Sequence, residues 1–294
     1  MYAELTANRV EGTLKLKRLD QPIQFGPFYL FELLNSGGMA DVWHATDQKG
    51  QAYALKKMKV SLLYNFWARR GFVRGCKILS QIHNHDYVIG YEDHGRIKGS
   101  PYLLMEYVEN SNLKEVYNRR DPVLQDYLGN ILIDTAIALE HVHDSGFMHL
   151  DFKPENVLVT RNGNIRLVDF DLARPRPSKP KKMWKNPGTP PYMAPEVLRR
   201  EPMDHRADIF SFGVVAYEML TYHKPFPGES AEEVYRAQLD GSFAPPSQHN
   251  PNIHLALEKI ILRCLELDLE KRYPDISMLV HALEAVLYVD PHRG

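Results

Sequence analysis

The order of apolar and polar residues divides the chain into a strand-rich first third and a helix-rich remainder. Residues 28–60 read as short strand-like runs, FYLFELL, NSGGMADVWHA and AYALKKMKV, separated by turn residues. Residues 64–83 place Phe72, Ile78, Leu79 and Ile82 mostly at helical spacing, and a strand pattern returns in YVIGYEDHGRIKGSPYLLMEYV. The first third is therefore predicted to be a sheet with one helix.

The pattern becomes helical from about residue 112. The run LGNILIDTAIALEHVHDSG predicts a long helix, and VLVTRNGNIRLVDF predicts a strand pair around an Asn-Gly turn. Helices and loops are expected beyond residue 196. One segment, RPRPSKPKKMWKNPGTPPY, is so rich in proline and lysine that a long surface loop without regular structure is expected there.

Composition narrows the class of protein and the compartment. The 294 residues carry a formal net charge of -1, which gives no global reason to expect a nucleic-acid or membrane partner. Cys76 and Cys264 lie far apart and fit neither a disulfide framework nor a zinc motif. No apolar run reaches the roughly 18 to 20 residues of a membrane span, and the N-terminus lacks signal-peptide features. A globular protein of the reducing cytoplasm is expected.

Five motifs occur in one order along the chain: HLDFKPEN, VDFDLA, GTPPYMAPE, DIFSFGVVAYEML and DLEKRYPD. In this order and spacing the chain resembles a protein kinase of the Ser/Thr class over roughly residues 27–288, and SGGMADVW is similar to bacterial, eukaryotic-like members. The resemblance implies an α+β fold with two lobes, a small antiparallel sheet lobe with one helix and a larger, mainly helical lobe, with nucleotide in the cleft between them. The expected divisions are an N-terminal extension over 1–26, in which GTLKLKRLDQPIQF is a candidate extra strand, an N-lobe over 27–107 and a C-lobe over 108–294.

The resemblance assigns roles to the polar residues of two motifs. Asp151 is similar to the base that accepts the substrate hydroxyl proton, and Lys153 to the lysine that steadies the transferred phosphate. Asn156 and Asp169 resemble the two protein ligands of Mg²⁺. The alternative interpretation, without a catalytic role, is that Asp151 is a turn residue and Asn156 a cap of a helix or strand.

ATP is the nucleotide that the resemblance implies. Lys56 in AYALKK is similar to the strand lysine that reaches the α and β phosphates, and NSGGMADV resembles the glycine loop, with Asn35, Gly37 and Ala40 at its three glycine positions. Met105 is similar to the gatekeeper and the following EYV to the hinge that bonds the adenine. The full candidate set for nucleotide binding is Lys56, Gly37, Gly38, Val42, Ala54, Met105, Glu106, Val108 and Leu158.

Three positions depart from the family pattern. Gly75 stands where the family has the helix glutamate that pairs with the strand lysine, and no Asp or Glu occurs between Gln48 and His85. Asp171 replaces the glycine after the metal-binding aspartate, which gives the hypothesis that Asp171 or Asp169 partners Lys56, or that Asp171 adds a metal ligand. Leu150 replaces the arginine that docks a phosphorylated loop, so switching by loop phosphorylation is not expected.

Three functions stay open at this point. The retained Asp151, Lys153, Asn156 and Asp169 favour an active Ser/Thr kinase, whereas Gly75, Asp171 and the thinned glycine loop favour a pseudokinase that acts as a nucleotide-binding or partner-binding scaffold. A small-molecule phosphotransferase of the aminoglycoside-kinase type is disfavoured by Lys153, by GTPPYMAPE and by the Glu196–Arg272 pair that the resemblance implies, because these parts build a platform for a protein substrate. The resemblance also implies that Asp208 hydrogen-bonds the catalytic-loop backbone and that Thr189 lies near Asp151.

The expected partners are a protein substrate or binding protein and no nucleic acid. The first helix is basic and free of acids, and Gly71 and Gly75 give it a flat face that is a candidate docking surface for a partner. The loop residues Arg174, Arg176, Lys179, Lys181, Lys182 and Lys185 are expected to be a solvated basic stretch or, alternatively, a site for an acidic partner. The sequence gives no oligomeric state.

Overall fold

The computed structural model describes residues 17–109, 111–183 and 188–287. Contacts between residues divide the described chain into two units. The sheet unit runs to Phe72 and resumes over Glu92–Tyr107, and the helical unit comprises Val73–Tyr91 and the described residues from Val108 onward. The mixture of an antiparallel sheet and a helical body confirms the predicted α+β fold, while the finer domain boundaries drawn from the sequence stay a prediction.

The sheet unit is built on six strands in the order β1-β2-β3-β4-β6-β5. Their bounds are β1 Lys17–Phe25, β2 Phe28–Ser36, β3 Ala40–Thr46, β4 Ala52–Met58, β5 Tyr91–Ile97 and β6 Ser100–Glu106. The pairs β1–β2, β2–β3, β3–β4 and β4–β6 are antiparallel. Alternate side chains of these strands form one apolar cluster that includes Phe28, Leu30, Leu55 and Tyr102, as the period of two requires. The candidate extra strand is β1, and the part of the predicted extension before Lys17 lies outside the described residues.

Helix α1, Phe66–Ile82, follows a 3-10 turn at Val60–Leu62 and agrees closely with the predicted helix. The division between the units falls within this helix, after Phe72. Both Gly71 and Gly75 are buried. A Cβ atom on Gly75 would lie 2.9 Å from the carbonyl oxygen of Phe170, so the chain's own backbone covers this position. The prediction of an open docking face around Gly71–Gly75 is therefore wrong.

The helical unit packs its helices around one buried helix. Its helices are α2 Leu113–Asn118, α3 Pro122–Asp144, α4 Pro195–Leu198, α5 Arg206–Thr221, α6 Ala231–Asp240, α7 Pro246–His249, α8 Leu255–Cys264 and α9 Ile276–Val286. Every residue of α5 from Ala207 to Thr221 is buried, which explains why its sequence is apolar on all sides. Helix α3 begins at Pro122, with the side chain of Asp121 accepting a hydrogen bond from the amide of Val123.

Short strands complete the helical unit. They are β7 Ser111–Asn112, β8 Phe147–Met148, β9 Val157–Val159, β10 Ile165–Leu167, β11 Arg174–Pro175, β12 Lys181–Lys182 and β13 Pro202–Met203. Strands β9 and β10 form the predicted hairpin, and Gly163 of its Asn-Gly turn has a φ of +71°, which favours glycine. Short 3-10 turns lie at Pro154–Asn156 and Pro190–Tyr192.

The proline- and lysine-rich segment is expected to have no regular structure, and this expectation is wrong at strands β11 and β12 and at the 3-10 turn Pro190–Tyr192. Strand β11 pairs with β8, and β12 pairs with β13. Proline disfavours only the positions where its missing N–H is needed, so two-residue pairings at an edge tolerate it. Lys185 of this segment lies outside the described residues.

Within the described ranges, no helix is long and apolar enough to cross a membrane.

Candidate active site

The side chains of Asp151, Lys153, Asn156 and Thr189 meet in the helical unit. The Thr189 hydroxyl donates to Asp151 Oδ1 at 2.9 Å and accepts from Lys153 Nζ at 2.9 Å. Lys153 Nζ also lies 2.9 Å from Asp151 Oδ2, and the amide nitrogen of Asn156 donates to the same oxygen at 3.2 Å. A half-buried lysine thus faces a largely buried carboxylate, and a hydroxyl bridges the two, so the carboxylate is fixed in orientation and partly neutralised.

Helix α5 holds the loop that carries Asp151. The fully buried carboxylate of Asp208 accepts hydrogen bonds from the backbone amides of His149 and Leu150, each at 2.8 Å, and lies 2.9 Å from His143 Nε2. Burial opposes ionisation of this carboxyl, but the hydrogen bond and charge of His143 outweigh it and hold the pKa of Asp208 below its usual value. Leu150 has a φ of +62°, an uncommon conformation for a residue with a side chain, and its bonded amide helps to fix it. The predicted bond from Asp208 to the loop backbone is confirmed.

A buried ion pair supports the segment after Thr189. Arg272 donates through Nη1 and Nη2 to Glu196 Oε1 and Oε2, both at 2.8 Å, and its Nε donates to the carbonyl oxygen of Glu266 at 2.6 Å. Both side chains are almost fully buried. This two-point geometry matches the planar guanidinium to the carboxylate and confirms the predicted pair.

Asn156 and Asp169 offer oxygen atoms suited to Mg²⁺. The amide nitrogen of Asn156 is turned to Asp151, where it donates to the backbone oxygen at 2.8 Å, so its side-chain oxygen points the other way. The backbone oxygen of Asn156 accepts from the amide of Val168 at 2.9 Å, which ties Asn156 to the residue before Asp169. Asn156 therefore bonds within the site and does not act as a helix or strand cap.

The donor chemistry fits this cation. In the described part of the chain, no group of three or more His, Cys, Asp or Glu side chains is arranged to hold a metal ion. Mg²⁺ at phosphate sites needs only one or two carboxylates, with waters and phosphate oxygens completing its shell. Asn156 and Asp169 are the residues that would hold it.

The two departures at Gly75 and Asp171 meet in the helical unit. A Cβ atom on Gly75 would lie 3.0 Å from both the backbone nitrogen and the Cα of Asp171. The same Cβ would lie 2.9 Å from the carbonyl oxygen of Phe170, a distance that real Cβ atoms essentially never show, so no larger residue fits at position 75 without a shift of the backbone. Gly75 and Asp171, which both depart from the family pattern, therefore lie in one contact between α1 and the segment after Asp169.

The sheet unit carries the candidate phosphate-binding lysine. Lys56 lies on β4 opposite Val42 of β3 and Leu103 of β6, it is buried, and its Nζ lies 5.8 Å from the centre of the Phe72 ring. The next residue, Lys57, places its Nζ 4.5 Å from the centre of the Phe25 ring. Burial lowers the pKa of Lys57, with the charge of Asp41 opposing the shift. The two lysines thus contact different rings, as the alternation of a strand requires.

The glycine loop joins β2 to β3 and is closed by the amide of Gly37, which donates to the carbonyl oxygen of Ala40 at 3.0 Å. A Cβ atom on Gly38 would meet no other atom within 4 Å, so this turn has room for close approach of a ligand. The register pairs Ala54 with Met105, which places these two apolar candidates next to each other on the sheet. Glu106 ends β6, Val108 follows in the helical unit, and Leu158 lies on β9.

The sequence did not reveal the roles of Arg74, Arg174 and His143. Arg74 and Arg174 donate to backbone carbonyls of residues 171–173, and His143 bonds Asp208. Every residue type has a backbone carbonyl, so a hydrogen bond to a carbonyl leaves no pattern in the sequence of the accepting segment. For His143, its place in the last turn of α3, a few residues before the loop that carries Asp151, was the only signal.

Comparison with known proteins gives a consistent result. A model of the protein kinase domain matches residues 28–283. A probable serine/threonine-protein kinase of Streptomyces coelicolor, SCO3848, is 31% identical over 282 residues, which cover 93% of this chain and 42% of that protein. The serine/threonine-protein kinase PknH of Mycobacterium bovis is 31% identical over 262 residues, with 87% and 44% covered. A probable PknB of Bifidobacterium longum is 30% identical over 266 residues, with 86% and 38% covered. The chain thus spans about two fifths of the length of these curated relatives.

Proposed function

Because the chain belongs to the protein kinase family, we propose that it transfers the terminal phosphate of ATP to serine or threonine hydroxyls of a protein substrate, with Mg²⁺ as the cofactor. The observation that carries the proposal is the cluster of Asp151, Lys153 and Thr189, in which one hydroxyl bridges a lysine and a carboxylate. The similarity to bacterial serine/threonine-protein kinases supports the same reaction. A cytoplasmic location belongs to the proposal, because ATP is available there.

In this proposal the substrate hydroxyl oxygen forms a bond to the terminal phosphorus of ATP while the bond from that phosphorus to the bridging oxygen breaks, and ADP leaves. The hydroxyl proton passes to the carboxylate of Asp151, whose orientation Thr189 and Asn156 fix. The ammonium group of Lys153 offsets negative charge on the transferred phosphate. Mg²⁺, when bound, would neutralise phosphate charge.

The sheet unit would supply the nucleotide contacts. Lys56 is the proposed partner of the inner phosphates, and Gly37 and Gly38 are the proposed phosphate-covering turn. Val42, Ala54, Met105 and Leu158 are proposed to contact the adenine, and the backbone of Glu106–Val108 to bond it. The hypothesis that Asp169 or Asp171 partners Lys56 stays a prediction.

The test measures transfer of label from radiolabelled ATP to the protein itself and to generic Ser/Thr substrates. We compare the wild type with Asp151→Asn, which keeps the shape of the side chain but removes its basicity, and with Asp126→Asn, the same exchange at an exposed position of α3. Loss of a general base lowers rates by about 10² to 10⁴-fold. The expected result is this loss for Asp151→Asn and none for Asp126→Asn. Full activity of Asp151→Asn would refute the proposed role of Asp151.

A second candidate is a nucleotide-binding scaffold without transfer. The observation in its favour is Gly75, since the place of a helix glutamate is filled by the backbone of Asp171. A scaffold would transfer no label, yet Mg²⁺ and ATP together would raise its melting temperature. The same protein preparation therefore distinguishes the two functions.

A further inference from the structure

The segment that carries Asp169 runs through Phe170, Asp171 and Leu172 to Ala173. Asp169 has a φ of +67°, so the chain turns sharply at the candidate cation ligand. Within the segment, the amide of Ala173 donates to the carbonyl oxygen of Phe170 at 3.0 Å, and the amide of Asp171 donates to Asp169 Oδ1 at 3.4 Å. A turn in an uncommon backbone conformation needs support from its surroundings.

Arg74 of α1 provides such support from outside the segment. Its Nη2 donates to the carbonyl oxygen of Asp171 at 2.9 Å, and its Nε donates to the carbonyl oxygen of Ala173 at 3.2 Å. One planar guanidinium therefore bonds two carbonyls that lie two residues apart. The side chain is half-buried, so these bonds are partly shielded from water.

Gly75 allows Arg74 to reach the segment. Because position 75 has no Cβ, the helix backbone lies directly against Phe170 and Asp171. A side chain there would push the segment away and lengthen both bonds of Arg74. The absence of the family's glutamate and the presence of Arg74 are thus parts of the same packing arrangement.

A second arginine completes the set of bonds. Arg174 donates to the carbonyl oxygen of Leu172 at 2.7 Å and to that of Ala173 at 2.8 Å. Three successive carbonyls, at Asp171, Leu172 and Ala173, therefore accept from guanidinium groups. Burial and the nearby charge of Arg74 lower the pKa of Arg174 to about 10, which agrees with two cations lying close together.

We propose that Arg74 is a positioning residue for the cation site: it holds the turn of Asp169 to helix α1 through the carbonyls of Asp171 and Ala173. This inference rests on the proposed function for the cation and nucleotide that Asp169 would serve. The helix is coupled to the cation-binding segment through backbone carbonyls, and this coupling needs no carboxylate at position 75.

The test uses two variants of Arg74 and a matched control. Arg74→Met removes the donors and keeps most of the length, and Arg74→Lys keeps the charge but not the planar fork. Arg70→Met makes the same chemical change at an exposed arginine of the same helix. The first measurement is hydrogen exchange of the amides of residues 170–173, without ligand. The second is the Mg²⁺ concentration that gives half of the stabilisation of the protein by ATP.

We expect Arg74→Met to speed exchange of these amides at least tenfold and to raise the half-saturating Mg²⁺ concentration about tenfold, equal to about 1.4 kcal/mol. Arg74→Lys should show a smaller change in the same direction, and Arg70→Met less than a twofold change. A folded Arg74→Met with wild-type exchange and Mg²⁺ dependence would overturn the proposal. If Arg74→Met does not fold, an Arg74→Lys variant that matches the wild type in both measurements would overturn it.

These measurements separate this proposal from the proposed function. A wild-type protein that binds Mg²⁺ and ATP but transfers no phosphate would refute the kinase function, and the effect of Arg74 on Mg²⁺ dependence would still support the positioning role. A wild-type protein whose ATP binding does not depend on Mg²⁺ would overturn the positioning role, because Asp169 would have no cation to hold.

Discussion

Replacement of Gly75 by alanine tests the contact between α1 and the segment after Asp169. In the interior of an ordinary helix, alanine is more favourable than glycine by about 1 kcal/mol. At position 75 the added Cβ would meet three backbone atoms at 2.9 to 3.0 Å. Backbone atoms cannot rotate away as the end of a side chain can, so the helix or the segment must move.

The expected change in the free energy of unfolding combines two opposing effects, the helix preference for alanine and the cost of overpacking. Overpacking of a well-packed site costs typically about 1 to 3 kcal/mol. Lys77, two residues further along α1, is exposed, and its Lys77→Gly and Lys77→Ala variants measure the ordinary difference between alanine and glycine in this helix. We expect Gly75→Ala to gain about 1 to 3 kcal/mol less in free energy of unfolding than Lys77→Ala gains over Lys77→Gly.

The assay is equilibrium unfolding in urea, with the free energy of unfolding compared for all four proteins. Hydrogen exchange of residues 170–173 shows whether the segment has moved. If Gly75→Ala gains as much stability as Lys77→Ala gains over Lys77→Gly, the close approach of the two backbones does not exist, and the reasoning on Gly75 fails.

Three further predictions follow from other contacts. Arg272→Met should lower the free energy of unfolding by about 3 to 5 kcal/mol, because it leaves the buried Glu196 without its partner. The control Arg236→Met breaks a surface pair with Glu232 and should lower it by less than about 1 kcal/mol. Equal losses in urea unfolding would contradict this prediction. Thr189→Val should reduce phosphate transfer by up to about 10²-fold through misplacement of Asp151 and Lys153, and Thr189→Ser, which keeps the hydroxyl, should stay near wild type in the same label-transfer assay. Burial, then the charges of His143 and Arg176, lower the pKa of His205, so near pH 6.5 the unfolded chain binds a proton that the folded protein does not bind. The free energy of unfolding should therefore fall as the pH drops below about 6.5, by at most about 1.4 kcal/mol per pH unit for this one group. Urea unfolding of wild type and His205→Asn at pH 7.5 and 5.5 checks this, and an equal loss in both proteins would show that His205 is not responsible.

The sequence was informative where residue type alone decides the structure. The alternation of apolar residues predicted the sheet, the spacing of Ile78, Leu79 and Ile82 predicted α1, and the Asn-Gly pair predicted the β9–β10 hairpin. The meeting of Asp151 with Thr189 and of Glu196 with Arg272 was also predicted, because the motifs that contain them occur in family order.

The sequence was uninformative for the contacts between α1 and residues 170–173, where backbone atoms are the partners. The absence of a glutamate at Gly75 was visible, but the backbone of Phe170 that fills the space was not, and a flat docking face was predicted in its place. The bonds of Arg74 have the same character, since any residue type at Asp171 and Ala173 offers the same carbonyls. Lone backbone pairings such as β11 with β8 are likewise set by the surrounding fold.

The attachment of the His149–Leu150 loop to helix α5 has a consequence for the motions of the helical unit. Both amides donate to one carboxylate on the most completely buried helix, so they can open to solvent only when α5 itself loses its packing. Their hydrogen exchange should therefore follow global unfolding, while exposed helix termini exchange through local fraying. The proposed base would then be among the slowest-opening parts of the unit, and any faster rearrangement that admits a substrate must take place in other segments.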